Sequence, residues 1–273
     1  MKQITSRART GLFAMAVLVV CLWKPWLHWL VSMIVAVLGF IGIREFHRMG
    51  RNIGVRTSQP LAIVMTLALI VAGTAPLELF KGLLLSVLLV SIVGAYLVHM
   101  TVYGYEGAYS VVPIAVFGPI YIGIPLALSL QIMQGDRMFL MFGLLLVWLS
   151  DIGAYYAGRK YGQHKLAPRL SPKKTIEGAL GGLAGCLLVA LIFKALVPTA
   201  AFDYSWGEAV VVALIVGLIA PCGDLAESIL KRDTGIKDSG RGMGGHGGVL
   251  DRIDSLLFCF PALYLFLMVT GRL

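Results

Sequence analysis

Apolar residues run along this chain in stretches of about 17–25, the length that crosses a hydrocarbon core of about 30 Å as a helix. The stretches lack the alternation of a barrel strand, and a backbone in lipid must pair its own polar groups, so helices are the predicted elements. Nine segments can be marked: 11–23, 27–43, 61–79, 82–102, 109–130, 138–158, 177–197, 206–222 and 253–271. The first is short and reads as a hairpin partner of the second. Its basic head and apolar run resemble a leader, but no small-x-small cleavage site follows, and Lys24-Pro25-Trp26 leads straight into the next run. A retained first span is expected. Gly181, Gly182 and Gly185 in the seventh segment are expected to serve close helix packing. The predicted fold class is all-α: a polytopic integral membrane protein of about nine transmembrane helices.

Composition strengthens this. Only 14% of the 273 residues are charged and 58% are hydrophobic, whereas a soluble domain carries roughly a quarter charged residues. Cys21, Cys186, Cys222 and Cys259 stand alone without CxxC spacing, so neither a disulfide framework nor a zinc site is expected. Trp23, Trp26 and Trp29 suit an interfacial aromatic belt.

Charge then sets orientation. Eighteen of the 23 Lys and Arg residues fall on one side of the alternating segments: in the N-terminal tail (Lys2, Arg7, Arg9), after segment two (Arg44, Arg48, Arg51, Arg56), after segment six (Arg159 to Lys174), and after segment eight (Lys231 to Arg252). The other side receives Lys24, Lys81, Arg137 and Arg272. The positive-inside rule makes the richer side cytoplasmic, with the N-terminus in, in a cell inner membrane or its equivalent. Only two spans separate the two richest loops, so both face one compartment. The net charge of +9 suits anionic lipid and phosphate. Nothing points to nucleic acid, and a homo-oligomer is compatible with the pattern. There is no linker, so 1–135 and 136–273 are parts of one continuous membrane domain. Arg44-Glu45 and Arg48 read as interfacial anchors and surface pairs, and the role of 1–135 stays open.

The polar residues concentrate in 136–273. From Gly223 the chain reads GDLAESILKRDTGIKDSGRGMGGHGGVLDRIDS. Asp224, Glu227, Ser228 and Lys231 share one face of a helix, at i, i+3, i+4 and i+7. Asp251 and Asp254 stand at i and i+3 at the head of the last span. Carboxylates at two helix ends, joined by a Gly-rich basic loop, suit a divalent cation with a polyphosphate: hard oxygen ligands for Mg²⁺, cations and backbone N–H groups for phosphate. A solvated loop pairing its own charges is the plainer alternative, but carboxylates at span ends in so apolar a chain favour a site. His246, inside GGHGG, could bind phosphate, polarise a leaving group or hold the loop.

A second constellation reads WLSDIGAYYAGRKYG, then SPKKTIEG. Asp151, Tyr155 and Gly158 share a helix face beside Ser150. Ser171-Pro172 reads as a turn, and Lys173, Lys174 and Thr175 precede a helix opening at Glu177, an arrangement suited to an anion.

These residues resemble the phosphatidate cytidylyltransferase (CDP-diglyceride synthetase) family. The resemblance lies in Ser228-x-x-Lys231-Arg232-x4-Lys237-Asp238-x-Gly240, followed by Gly244-x-His246-Gly247-Gly248-x-x-Asp251-Arg252-x-Asp254, over 27 positions. Met243 stands where the family usually has Leu, Ile or Phe, and Gly244 at a position often held by Pro. The SDxxAYxxGR run at Ser150 to Arg159 and SPKKTxEG at Ser171 to Gly178 are similar to that family too, so the likeness covers about 140–260. It implies that CTP and phosphatidic acid form CDP-diacylglycerol and pyrophosphate with Mg²⁺, a second cation being allowed. Asp224, Asp251, Lys231, Lys237 and His246 would carry the chemistry, with metal at Asp224, Asp251 and Asp254. Ser228, Arg232, Asp238, Gly247, Gly248, Arg252, Asp151 and Tyr155 would contact substrate. Ser171, Lys173, Lys174 and Thr175 would bind either the lipid phosphate or the nucleotide. Two alternatives remain: a CTP-dependent lipid kinase, and an ion-coupled transporter, which would place charges near the midplane of several helices. A transferase consuming CDP-diacylglycerol would carry a DxxDGxxAR run, which is absent.

Overall fold

The structure, a computed structural model, describes residues 19–55, 57–240 and 247–273. Expectations that fall on Lys2, Arg7, Arg9, Arg56, Arg241, Met243, Gly244 and His246, and on most of the first apolar segment, lie outside those residues. A 3-10 turn at Pro25–Leu27 leads into α1 (His28–Asn52), α2 (Gln59–Ala72), α3 (Leu77–Val102), α4 (Ala108–Gly135) and α5 (Arg137–Tyr161). Two short strands follow, β1 (Lys165–Ala167) and β2 (Ser171–Thr175), and then α6 (Ile176–Leu196), α7 (Trp206–Asp233) and α8 (Leu250–Val269). All of the long helices (α1 and α3 to α8) are apolar and long enough to cross a membrane, seven among the described residues. The chain is an all-α polytopic membrane protein.

The third expected segment, 61–79, is not one span. Its helix α2 has 14 residues, about 21 Å at 1.5 Å per residue, and stops at Gly73 before Pro76 opens α3. Proline lacks the N–H that would continue the ladder, so carbonyls are freed at the break. Gln131 Nε2 on α4 donates to Gly73 O at 2.9 Å and Ala75 O at 2.6 Å, and Gln134 Nε2 donates to Gly73 O at 2.8 Å.

Small residues bring the helices that carry the motifs together. Gly153 of α5 lies against the Gly181 carbonyl of α6, where a Cβ would come within 2.5 Å of the oxygen. Gly182 and Gly185 meet the carbonyls of Ser150 and Leu149, as expected of a packing face. The bundle end remote from the motifs is closed by aromatic rings: Phe202 lies 5.1 Å from Phe142, 5.0 Å from Phe193 and 4.5 Å from Tyr204. Arg272 bonds Glu208 at 3.0 Å and Asp203 O at 2.7 Å at this end, and Tyr204 donates to Asp136, the N-cap of α5.

Candidate active site

The motif-bearing helix α7 continues 11 residues past its apolar segment and ends at Asp233. Asp224, Glu227, Ser228 and Lys231 therefore do stand on one helix. Lys231 is the hub of its last turns: Nζ lies 2.6 Å from Glu227 Oε2 and 2.7 Å from Asp251 Oδ1, joining α7 to the first turn of α8. A carboxylate as deeply buried as Glu227 requires such a partner. Glu227 Oε1 has no hydrogen-bond partner among the described residues.

Asp251 organises the other side. Its Oδ2 accepts from Gly248 N at 2.7 Å, Ser239 N at 3.0 Å and Ser239 Oγ at 2.9 Å. These bonds draw both described ends of the Gly-rich loop onto the head of α8. Gly247, which opens the second of them, has φ 81°, a left-handed conformation that glycine adopts without strain.

The acceptor that completes this corner comes from α1. Glu45 is 7% exposed. Its Oε1 accepts from Val249 N at 3.1 Å and its Oε2 from Leu250 N at 2.9 Å, satisfying N–H groups at the start of α8 that have no intrahelical partner. Ser239 Oγ also lies 3.2 Å from Glu45 Oε2, so one hydroxyl proton faces two carboxylates. The expectation that Glu45 is a surface pair is corrected: it is an internal helix cap. One signal was available, because Glu45 falls among the buried positions Gly42, Ile43, Phe46 and Met49 of α1. Its partners, some 200 residues away, could not be read locally.

The second constellation meets the first. Lys174 Nζ lies 2.7 Å from Asp224 Oδ2 and donates to Pro221 O at 3.2 Å. Arg232 Nε donates to Leu170 O at 3.2 Å. The loop following α5 and the end of α7 thus share one face, as parity requires. Ser171 to Thr175 form a strand, where a turn was expected at Ser171-Pro172. They pair antiparallel with β1 in the register Lys165↔Thr175 and Ala167↔Ser171. Glu177 closes the base of this hairpin, accepting from Gln163 N at 3.1 Å and bonding His164 Nδ1 at 2.6 Å. The Thr175 hydroxyl caps α6 by accepting from Gly178 N at 3.1 Å.

Around the Lys174–Asp224 pair lies a group of carboxylates. Asp151 on α5 is exposed and within electrostatic reach of both Asp224 and Lys174. Asp254 on α8 is buried and within reach of Asp224 and Asp151. Gly223 permits this, lying so near α8 that a Cβ would come within 2.5 Å of Asp254 O. Ser228 is buried, whereas Arg232, Lys237, Asp238, Lys173 and Tyr155 are exposed at this end, and Arg159 donates to the Tyr155 hydroxyl at 3.2 Å. Arg252 is likewise exposed on the first turn of α8.

The donor chemistry fits a hard cation: Asp151, Asp224, Glu227, Asp251 and Asp254 share this end, where Lys174 pairs with Asp224 and Lys231 with Glu227 and Asp251, and among the described residues one buried oxygen, Glu227 Oε1, is unbonded. Among the described residues no three of His, Cys, Asp and Glu gather tightly enough to encage an ion alone. Mg²⁺ commonly takes one or two carboxylates and completes its shell with water and substrate phosphate.

Several known proteins are similar to this chain in sequence. The model of a family described as the cytidylyltransferase family matches residues 5–270. A phosphatidate cytidylyltransferase of Brucella suis biovar 1 is 47% identical over 144 residues, 51% of this chain and 52% of the relative. One from Staphylococcus saprophyticus is 40% identical over 148 residues, 54% of this chain and 56% of the relative. The aligned part thus spans about half the length of the curated relatives it matches.

Proposed function

Because the chain belongs to the cytidylyltransferase family, we propose that it transfers the cytidylyl group of CTP to phosphatidic acid, giving CDP-diacylglycerol and pyrophosphate. The observation that carries this reading is the Lys174–Asp224 ion pair of 2.7 Å, which joins two stretches resembling one enzyme family into a single polar site. A phosphate oxygen of the lipid attacks the α-phosphorus of CTP, the bond from that phosphorus to the β-phosphate oxygen breaks, and pyrophosphate leaves. The attacking phosphate is already anionic, so no Ser or Cys nucleophile is needed. The protein's task is in-line positioning and neutralisation of charge.

Lys231, Arg232 and Lys237 surround the triphosphate in this reading, with Gly247 and Gly248 letting the backbone come close. Asp224 and Asp254 would hold Mg²⁺, with water and substrate phosphate completing its shell, while Asp251, whose Oδ1 pairs with Lys231 and whose Oδ2 takes three donors, would stand beside them. Bound there, the ion supplies Lewis-acid polarisation of phosphate oxygens, and Glu227 Oε1 offers a place for a second cation. Lys174 holds Asp224 in position and Lys231 holds Asp251. The site opens to the cytoplasm at the membrane interface, where CTP arrives from water and the lipid from its leaflet.

Purified protein given CTP, phosphatidic acid and Mg²⁺ should release pyrophosphate, and chelation with EDTA should stop the release. Release of CDP would instead identify γ-phosphoryl transfer to lipid. Ion flux in proteoliposomes without CTP turnover would identify a transporter.

A further inference from the structure

A second polar concavity, about 530 Å³ in volume, lies at the end of α1. Arg44, Arg48 and Arg51 line it, with Gln59 at the start of α2 and Gly240 of the loop beyond α7, and Glu45 forms its inner wall. The Glu45 carboxylate is already bonded to the head of α8, so the guanidinium groups dominate the opening. Arg51 donates to Gln59 Oε1 at 2.7 Å, and the Arg44 guanidinium lies 5.4 Å from the centre of the Phe40 ring. Three cations spaced i, i+4 and i+7 on one helix repel one another. An anion among them would offset that repulsion, and guanidinium matches a phosphate in bidentate geometry.

The arginines continue a longer pattern. The exposed positions of α1 fall at Trp29, Met33, Val37, Phe40, Arg44, Arg48, Arg51 and Asn52, one stripe down the side facing away from the bundle. From Trp29 to Phe40 it is apolar for about 16 Å at 1.5 Å per residue, and then it turns cationic at Arg44, Arg48 and Arg51 before the neutral Asn52. Interfacial arginines that merely anchor a spanning helix need no cavity, and these three wall one. An apolar track ending in a guanidinium-lined cavity matches an amphiphile with a phosphate head. Gly240, in the cavity wall, directly follows Ser239, whose backbone and hydroxyl bond Asp251. A head group held here would abut the same loop that contacts the active-site aspartate.

We infer that this cavity binds a phosphomonoester head group, that of the acceptor lipid, whose chains lie along the Trp29–Phe40 stripe. The inference rests on the cytidylyl transfer proposed above. Arg44→Gln/Arg48→Gln should raise the KM for phosphatidic acid in phosphatidylcholine micelles by about tenfold or more, as loss of charge-assisted hydrogen bonds entails, and leave the KM for CTP within about twofold. Arg44→Lys/Arg48→Lys should recover part of the loss. A raised KM for CTP instead, or no change in either constant, overturns the inference. Native mass spectrometry of the full chain supplies a binding arm that does not need turnover. The wild type should retain phosphatidic acid in preference to phosphatidylcholine, inorganic phosphate should not displace it, and the Gln variant should lose the preference. Equal retention by wild type and variant, or displacement by inorganic phosphate, overturns the inference. If the wild type releases no pyrophosphate, the transfer reading fails, and the binding arm still decides the cavity.

Discussion

Lys231 stands between two carboxylates, and its charge permits Glu227 to be buried while Asp251 gathers the loop. The sequence shows this much, because residues at i, i+3, i+4 and i+7 share a helix face whatever the rest of the chain does. Glu45 is the counter-example. Helical periodicity places it on the inward side of α1, but only the fold reveals that it caps α8. Removing a buried acceptor leaves its donors unpaired, at a cost of about 1–3 kcal/mol for each group. Glu45→Ala should therefore destabilise the protein by on the order of 3 kcal/mol. Hydrogen exchange should also speed up at the Val249 and Leu250 amides, and unchanged protection there would show that α8 does not depend on Glu45.

Among elements, the long apolar helices could be read from segment length alone, and their motif-facing ends agree with the distribution of Lys and Arg. Two features escaped. The strands β1 and β2 have three and five residues, too few for alternation to stand out, and pairing with each other is what makes them strands. The break after α2 was hidden because 61–79 is apolar throughout, and the glutamines that satisfy it belong to α4. The approach of α7 to α8 also depends on a single small residue. Gly223 leaves no room for a side chain against Asp254 O and Ser255 Cα. Gly223→Val should push the helices apart and separate Asp224 from Asp254. We expect a drop in cytidylyl transfer of about 10²-fold or more, the scale set by a misplacement near 1 Å, with the protein still inserted in membranes. Activity within about twofold of wild type would show that the two carboxylates need not be neighbours.

Over the whole molecule, the aromatic cluster with Arg272 and Glu208 closes one end, and the polar network occupies the other. Both ends draw on helices far apart in sequence, which explains why the motifs mark where the site lies without showing how it is assembled. The Glu45 cap bears on how the protein is made. A chain emerging from the ribosome inserts α1 long before α8 exists, so this acceptor waits for donors about 200 residues downstream. A fragment of 136–273 would contain every motif residue and still begin its last helix with Val249 and Leu250 lacking that acceptor. Expressed alone it should give no pyrophosphate release, and co-expression with 1–135 should restore it. Full activity from the fragment alone would mean the two halves mature independently. Otherwise the last helix matures only when the second-half chain finds the first, and an N-terminal half that carries no motif residue acts as the template on which the other is completed.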